Sequence, residues 1–250
     1  MDLEKKELFG IMINQINKTD LMWDLLRYAH RRDPSYLCAV NVHMLVESKR
    51  DQLLKIAVQT STWAVTDGVP VKWAFNYFHK TDQPRLAGMD ITPELLSNAD
   101  QNGLVVSVFG NTIENLDGFK SHMERVYSNI KIGALISPPF REAKPDETSS
   151  YIEAINNVKT NILFVSLGCP KQEKWMLENY SDLHCVCLGV GNAINTVIGV
   201  ERRPPKIIQK MGMEWMYRLL QNPKRLFMRY IDTNSRFAFM VIKRILTRLK

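Results

Sequence analysis

The chemistry-bearing residues of this 250-residue chain fall in a few short stretches. In Thr66-Asp67-Gly68-Val69-Pro70 a carboxylate stands on a turn between two apolar runs. An Asp held there can act as a general base. It can equally cap the turn, because Asp-Gly is a common turn pair. Leu167-Gly168-Cys169-Pro170-Lys171-Gln172-Glu173 follows an apolar run and opens a helix. Backbone N–H groups at such an end attract anions, Lys171 adds positive charge, and Gln172 offers both a donor and an acceptor to a base or sugar. Gly189-Val190-Gly191 has the G-x-G of a dinucleotide loop but lacks the third glycine and the acid expected at the ribose. Arg85-Leu86-Ala87-Gly88-Met89-Asp90 sets a cation and an acid around a glycine, which fits a surface ion pair or a site wall.

Several kinds of site are missing from the pattern. No G-x-x-x-x-G-K-[ST] phosphate loop occurs, and no D-x-D triplet offers a carboxylate pair to a nucleotide-bound divalent ion. The five His are scattered, with no H-x-x-x-H pair. Of the four Cys, Cys185 and Cys187 are close, but they alternate with Val186 and Leu188 as small core residues do. No metal and no cofactor are expected.

Charge singles out the C-terminus. The chain carries 33 Lys and Arg against 26 Asp and Glu, a net +7, yet residues 201–250 hold 13 basic and 3 acidic residues. The first 200 residues are therefore slightly acidic, and the tail calls for an anionic partner. Arg218, Arg225 and Arg229 are spaced to share one helix face. Farther on, Ala238, Val241, Ile242, Ile245 and Leu249 form an apolar stripe flanked by Arg236, Lys243, Arg244, Arg248 and Lys250. A basic amphipathic helix of this kind suits an anionic membrane surface; the alternative is a terminal helix packed on the body with a solvated basic face.

Positioning these groups needs a scaffold. Apolar runs at 37–42, 104–109, 131–136, 161–167 and 185–190 alternate with helical stretches and end near Gly, Pro or Asn. This is the pattern of βαβ units and a parallel sheet, whose ligands bind beyond the carboxyl ends of the strands. The first 35 residues read as polar and helical, and Thr92-Pro93-Glu94 reads as a helix start. The predicted organisation is an α/β body over 1–200 and a helical appendage over 201–250. The cysteine usage fits a reducing cytoplasm, the N-terminus lacks the apolar segment of a signal peptide, and no apolar run is long enough to span a bilayer.

Taken in order, the motifs resemble those of the WecG/TagA/CpsF glycosyltransferases. They are Asn41-Val42-His43, Thr66-Asp67-Gly68-Val69-Pro70-Val71-Lys72-Trp73, the Arg85–Asp90 stretch, Ser137-Pro138-Pro139-Phe140-Arg141, the Gly168–Trp175 stretch, Gly189-Val190-Gly191, Glu214-Trp215-Met216-Tyr217-Arg218-Leu219 and Pro223-Lys224-Arg225-Leu226. The likeness spans about residues 36–230.

The resemblance implies a Rossmann-like parallel sheet with flanking helices and a helical basic C-terminal appendage. It implies an inverting, metal-independent enzyme that moves N-acetylmannosamine or its uronic acid from a UDP donor. The acceptor would be a sugar on undecaprenyl diphosphate, a polyprenyl-diphosphate-linked substrate, at the inner face of the cell membrane, in surface polysaccharide assembly. By this likeness Asp67 is the base, and Asn41, Arg85 and Gln172 bind substrate beside Gly168, Lys171, Gly189 and Gly191. Arg218, Arg225 and Arg229 would hold the lipid diphosphate and close the site, and the appendage would bring the enzyme to the membrane. Two positions depart from the family's pattern: Ala39 stands where a threonine is frequent, and Ile194-Asn195 stands where Phe-Asp is common.

Two other readings fit parts of the chain. A nucleotide-cofactor oxidoreductase on the same sheet would bind NAD(P), which the poor G-x-G context argues against. A nucleic-acid module driven by the basic tail would bind with steep salt dependence, which the apolar stripe argues against, so no nucleic acid is expected. Apolar surface on such a body would also suit a homo-oligomer.

Overall fold

The structure is a computed structural model that describes residues 4–210, 212–221 and 223–248. Within it the side chains of Lys206, Lys210, Arg218, Arg225 and Arg248 are outside the described set.

The N-terminal segment departs from its helical reading. Strands β1 (Lys5–Leu8) and β2 (Ile11–Asn14) form an antiparallel hairpin. Its turn is Phe9-Gly10, both at positive φ (51° and 87°), the geometry that joins two twisted strands through two residues. Leu8, Ile11 and Ile13 are buried, so burial against the body selects strand over the helix that local polarity suggests. Helix α1 (Lys18–Arg31) then starts at Asn17, whose side chain accepts from the Asp20 N–H at 2.9 Å.

The body alternates strands and helices. β3 (Ser35–Val40) leads into α2 (Val42–Glu47) and α3 (Gln52–Thr60). β4 (Trp63–Thr66) leads into α4 (Val69–His79) and α5 (Gly88–Gln101). The α5 helix corrects the start read at Thr92-Pro93-Glu94: it begins one turn earlier, at Gly88, and holds Pro93 inside its first turns. As the sixth helical residue it removes the N–H that would reach the Met89 carbonyl, and that carbonyl accepts from the Arg203 side chain at 3.5 Å instead. β5 (Val105–Gly110), α6 (Ile113–Val126), β6 (Lys131–Ile136), α7 (Pro145–Asn157), β7 (Ile162–Ser166), α8 (Lys171–Asn179), β8 (Val186–Gly189) and α9 (Ala193–Val197) complete the body.

The large sheet has six parallel strands in the order β4-β3-β8-β7-β5-β6. It is the Rossmann-like α/β sheet with flanking helices that the motifs imply. Side chains alternate across it with period two. Tyr36, Cys38 and Val40 of β3 join one buried cluster, while Leu37 and Ala39 join the other. Cys185 and Cys187 lie in the first cluster as free thiols with sulfurs 3.9 Å apart. All strands run the same way, so β3, β4, β5, β7 and β8 end on one rim of the sheet.

Helices α10 (Lys206–Lys210), α11 (Glu214–Gln221) and α12 (Pro223–Arg248) follow. α12 is docked on the body. Phe237 and Val241 are buried in the first cluster and Ile245 packs against it. The Phe237 ring meets Phe9 edge-on with centroids 5.7 Å apart. Arg244 lies over Phe78 at 4.9 Å and pairs with Glu7 at 3.0 Å. The apolar stripe read from sequence is therefore divided: Val241 and Ile245 face the body, Ala238 and Ile242 face solvent, and Leu249 lies outside the described residues. A second stripe, Met228, Ile231, Phe239, Ile242 and Leu246, is exposed. These five recur at three-, four- and seven- to eight-residue intervals along one side of the helix. α12 is apolar on two sides, and periodicity alone could not say which side the body would take.

Candidate active site

The strand ends meet the C-terminal helices across one cleft of about 810 Å³. On the body side it is lined by Asn41, Asp67, Arg85, Asn111, Gly168, Gly191 and Asn192, and on the other side by Glu214, Trp215, Arg229 and Tyr230, among others.

Asp67 is fixed by its backbone. β3 and β4 pair with Val40 opposite Thr66, and the Asp67 N–H donates to the Val40 carbonyl at 2.9 Å. Gly68 then turns at φ 83° to open α4, a conformation that suits a residue without Cβ. Asn41 stands alongside at the end of β3. It caps α2 with its side-chain oxygen, which accepts from the Met44 N–H at 3.0 Å. The amide nitrogen is then the group Asn41 offers to the cleft. Ala39, where the resemblance expects a hydroxyl, is buried in the second cluster with Leu37.

Arg85 is anchored by the Leu86 N–H, which donates to the Thr66 carbonyl at 2.7 Å. Its guanidinium donates to Asp90 at 2.7 Å and to Glu214 of α11. Arg203 pairs with the other oxygen of Asp90. Burial opposes the charge on Arg85, but the hydrogen bond to Glu214 and the nearby charges of Asp90, Glu214 and Asp67 outweigh it and hold its pKa above the ordinary value. Sequence reading placed Arg85 and Asp90 together and missed Glu214 as a wall residue. Its place inside the Glu214–Leu219 motif was the available signal.

Gln172 is nearly fully buried on the first turn of α8. Its side-chain oxygen accepts from two backbone N–H groups on different loops, Gly168 at 3.2 Å and Gly191 at 3.0 Å. Its nitrogen donates to the Glu173 carboxyl at 2.8 Å. Gln172 thus staples together the loops that follow β7 and β8. Gly189 lies underneath: a Cβ there would meet the Gln172 nitrogen and the Met176 methyl, each at 2.9 Å. Neither Gly189 nor Gln172 lines the cleft, and the Lys171 side chain is exposed on α8 outside the lining. Glu173 is fully buried, and desolvation pushes its carboxyl pKa up.

A ring of amides forms the third part of the wall. Asn195 accepts from Asn111 at 2.6 Å and from Asn115 at 3.2 Å, and donates to Asn192 at 2.7 Å. Asn111 sits at φ 75° just past β5, a strand end where ligand contacts are expected. An uncharged network therefore occupies the position where the resemblance expects an acid.

On the C-terminal side, Arg229 lines the cleft and lies over its neighbour Tyr230 at 5.6 Å. Arg218 is on α11 and Arg225 on α12, but their side chains lie outside the described residues. His43 is kept neutral at neutral pH, since burial and then the Arg229 charge lower its pKa. Among the described residues no group of three His, Cys, Asp or Glu side chains could hold a metal ion.

The model of the WecG/TagA/CpsF glycosyl transferase family matches residues 6–250. The chain belongs to this family. Membership makes it a glycosyltransferase, and the strand-end cleft is where a transferase of this fold would carry its site. A curated relative is the N-acetylglucosaminyldiphosphoundecaprenol N-acetyl-beta-D-mannosaminyltransferase of Bacillus subtilis (strain 168). It is 26% identical over 200 residues, which cover 79% of this chain and 76% of that protein. In this WecG/TagA/CpsF transferase seven of the eight motifs that carry the likeness converge: Asn41, Asp67, Arg85, Gly168, Gly191, Glu214 and Leu226 line one cleft, joined by Arg229, while the Ser137–Arg141 motif lies outside the lining.

Proposed function

We propose that the chain transfers an N-acetylmannosamine-type sugar from a UDP donor to a sugar on a polyprenyl diphosphate, with inversion and without a bound metal. The observation that carries this reading is that Asp67, just past the end of β4, lines the cleft together with cations on both walls, Arg85 and Arg229. Asp67 would take the proton from the acceptor hydroxyl as its oxygen attacks the anomeric carbon. The bond from that carbon to the UDP oxygen breaks on the opposite face, and the electron pair leaves with UDP. The arginines that line the cleft are suited to the charge that develops there. Arginine takes the place of a divalent ion in such a scheme, and among the described residues no group of three His, Cys, Asp or Glu side chains could hold such an ion. In this reading residues 1–200 form the catalytic body, and 201–250 form an appendage for the lipid diphosphate and the membrane.

A panel of UDP-sugars offered with a short-chain polyprenyl-diphosphate acceptor tests it. UDP-N-acetylmannosamine should give a product of inverted anomeric configuration, at a rate that EDTA leaves unchanged. Retained configuration, or loss in EDTA restored by a divalent ion, would overturn the mechanism.

The same reading puts the chain on the cytoplasmic face of the membrane as a peripheral protein. Among the described residues no helix is long and apolar enough to cross a bilayer. The exposed stripe of α12 is flanked by the basic residues Lys224, Arg236 and Lys243, which supports attachment to an anionic surface. Phe239 and Leu246 are 65% and 57% exposed, so replacing both with Glu should lower sedimentation with anionic vesicles several-fold while leaving the melting temperature unchanged. Unaltered sedimentation would remove this stripe as the contact. Deleting residues 231–250 is a poorer test, because it also strips Phe237 and Val241 from the core.

A further inference from the structure

Among the described residues that line the cleft, the acids outnumber the strong cations, although the ligand it is read to bind is an anion. Among the described lining residues the acids are Asp67, Glu201 and Glu214, and the strong cations are Arg85 and Arg229. A nucleoside diphosphate would add further negative charge. Arg85 is the cation set beside the base, and it is already committed: one terminal nitrogen donates to Asp90 and the other to Glu214. Its side chain is only 17% exposed, so these are partly desolvated, charge-assisted bonds.

The two carboxylates differ in what else holds them. Asp90 is in the first turn of α5 and is shared with Arg203, so two arginines fix it. Glu214 is the first residue of α11, in the C-terminal segment across the cleft, and lies 129 residues from Arg85 in the chain. Among the described residues Arg85 is its ion-pair partner. A diphosphate oxygen and a carboxylate oxygen compete for the same guanidinium N–H groups. Glu214 is the one of the pair that can be exchanged.

We propose that Glu214 is a positioning residue for the transfer: it holds Arg85 while the donor site is empty, yields Arg85 to the donor diphosphate, and pairs with it again as UDP leaves. The proposal rests on the UDP-donor reading above. Asp90 stays on one terminal nitrogen of Arg85 throughout, and the exchange keeps the other nitrogen of this partly buried guanidinium met by an anion as well. It also returns a competing carboxylate to the site once the sugar has moved, which favours product release.

The proposal gives a gain where a merely structural contact would give a loss. Titration of the full-length chain with UDP should show Glu214→Gln binding about 10-fold more tightly than the original, as expected when one charge-assisted competitor is removed. Glu214→Asp keeps the charge on a shorter arm and should tighten binding about 3-fold, which preserves the test should the Gln variant fold poorly. Glu201→Gln controls for general negative charge, because among the described residues Glu201 forms no ion pair, and it should change the affinity less than either Glu214 variant. UDP should also inhibit turnover at lower concentration in Glu214→Gln. Equal or weaker UDP binding by folded Glu214 variants, or equal tightening by Glu201→Gln, overturns the exchange. Inorganic diphosphate is titrated in parallel. If it binds and tightens with Glu214→Gln while UDP binds no better than it does, the exchange stands and the nucleotide reading falls. If neither probe binds the unaltered chain, both fall.

Discussion

Asp67→Asn is expected to lower turnover by about 10²- to 10⁴-fold, the usual contribution of a positioned general base. The substitution is nearly isosteric, and the residue's position is set by its backbone: the Asp67 N–H donates to Val40 and Gly68 makes the turn into α4. Neither depends on the carboxylate. The melting temperature should therefore hold, and the KM for the donor should change far less than kcat. Single-turnover measurement with purified donor and lipid acceptor separates the two. Turnover like that of the unaltered chain, with the fold intact, would remove Asp67 as the base.

Gln172→Leu is expected to damage both stability and activity. Leu fills a similar volume, but the Gly168 and Gly191 N–H groups lose their shared acceptor. Leaving a buried donor without a partner costs about 1–3 kcal/mol, and since these two are part-buried at the cleft wall the pair together should cost about that much and lower the melting temperature by roughly 2–12 °C in a chain of this size. Those two loops form one wall of the cleft, and kcat should fall because their relative position is no longer held. A thermal melt and a turnover assay check both parts. An unchanged melting temperature would show that the two N–H groups find other acceptors and that the staple is not what holds the wall.

Gln172 also shows how a site residue can be legible while its role is not. The P-K-Q-E stretch marks it, and its type offers a donor and an acceptor. That both are consumed inside the protein depends on where Gly191 arrives, 19 residues later, at the end of the neighbouring strand β8. Asn111 and Asn192 are similar. The strand ends preceding them were readable, but their convergence through Asn195 follows from the adjacency of β5, β7 and β8 in the sheet.

What the sequence by itself determined was local. Runs of apolar residues ended by glycine or proline set the strands of the parallel sheet, and they place Asp67, Gly168 and Gly191 at turns, because backbone preferences and side-chain alternation act over a few residues. The uneven charge likewise separates a slightly acidic body from a basic tail. The tertiary structure decided the rest. It made a hairpin of residues 5–14 by burying Leu8, Ile11 and Ile13. It turned Phe237 and Val241 inward and left Phe239 and Leu246 outward, a choice that α12, apolar on two sides, could not make alone. It also brought Glu214 onto Arg85. Such pairings span a hundred residues or more, and they exist only once the sheet has fixed which strand ends are neighbours.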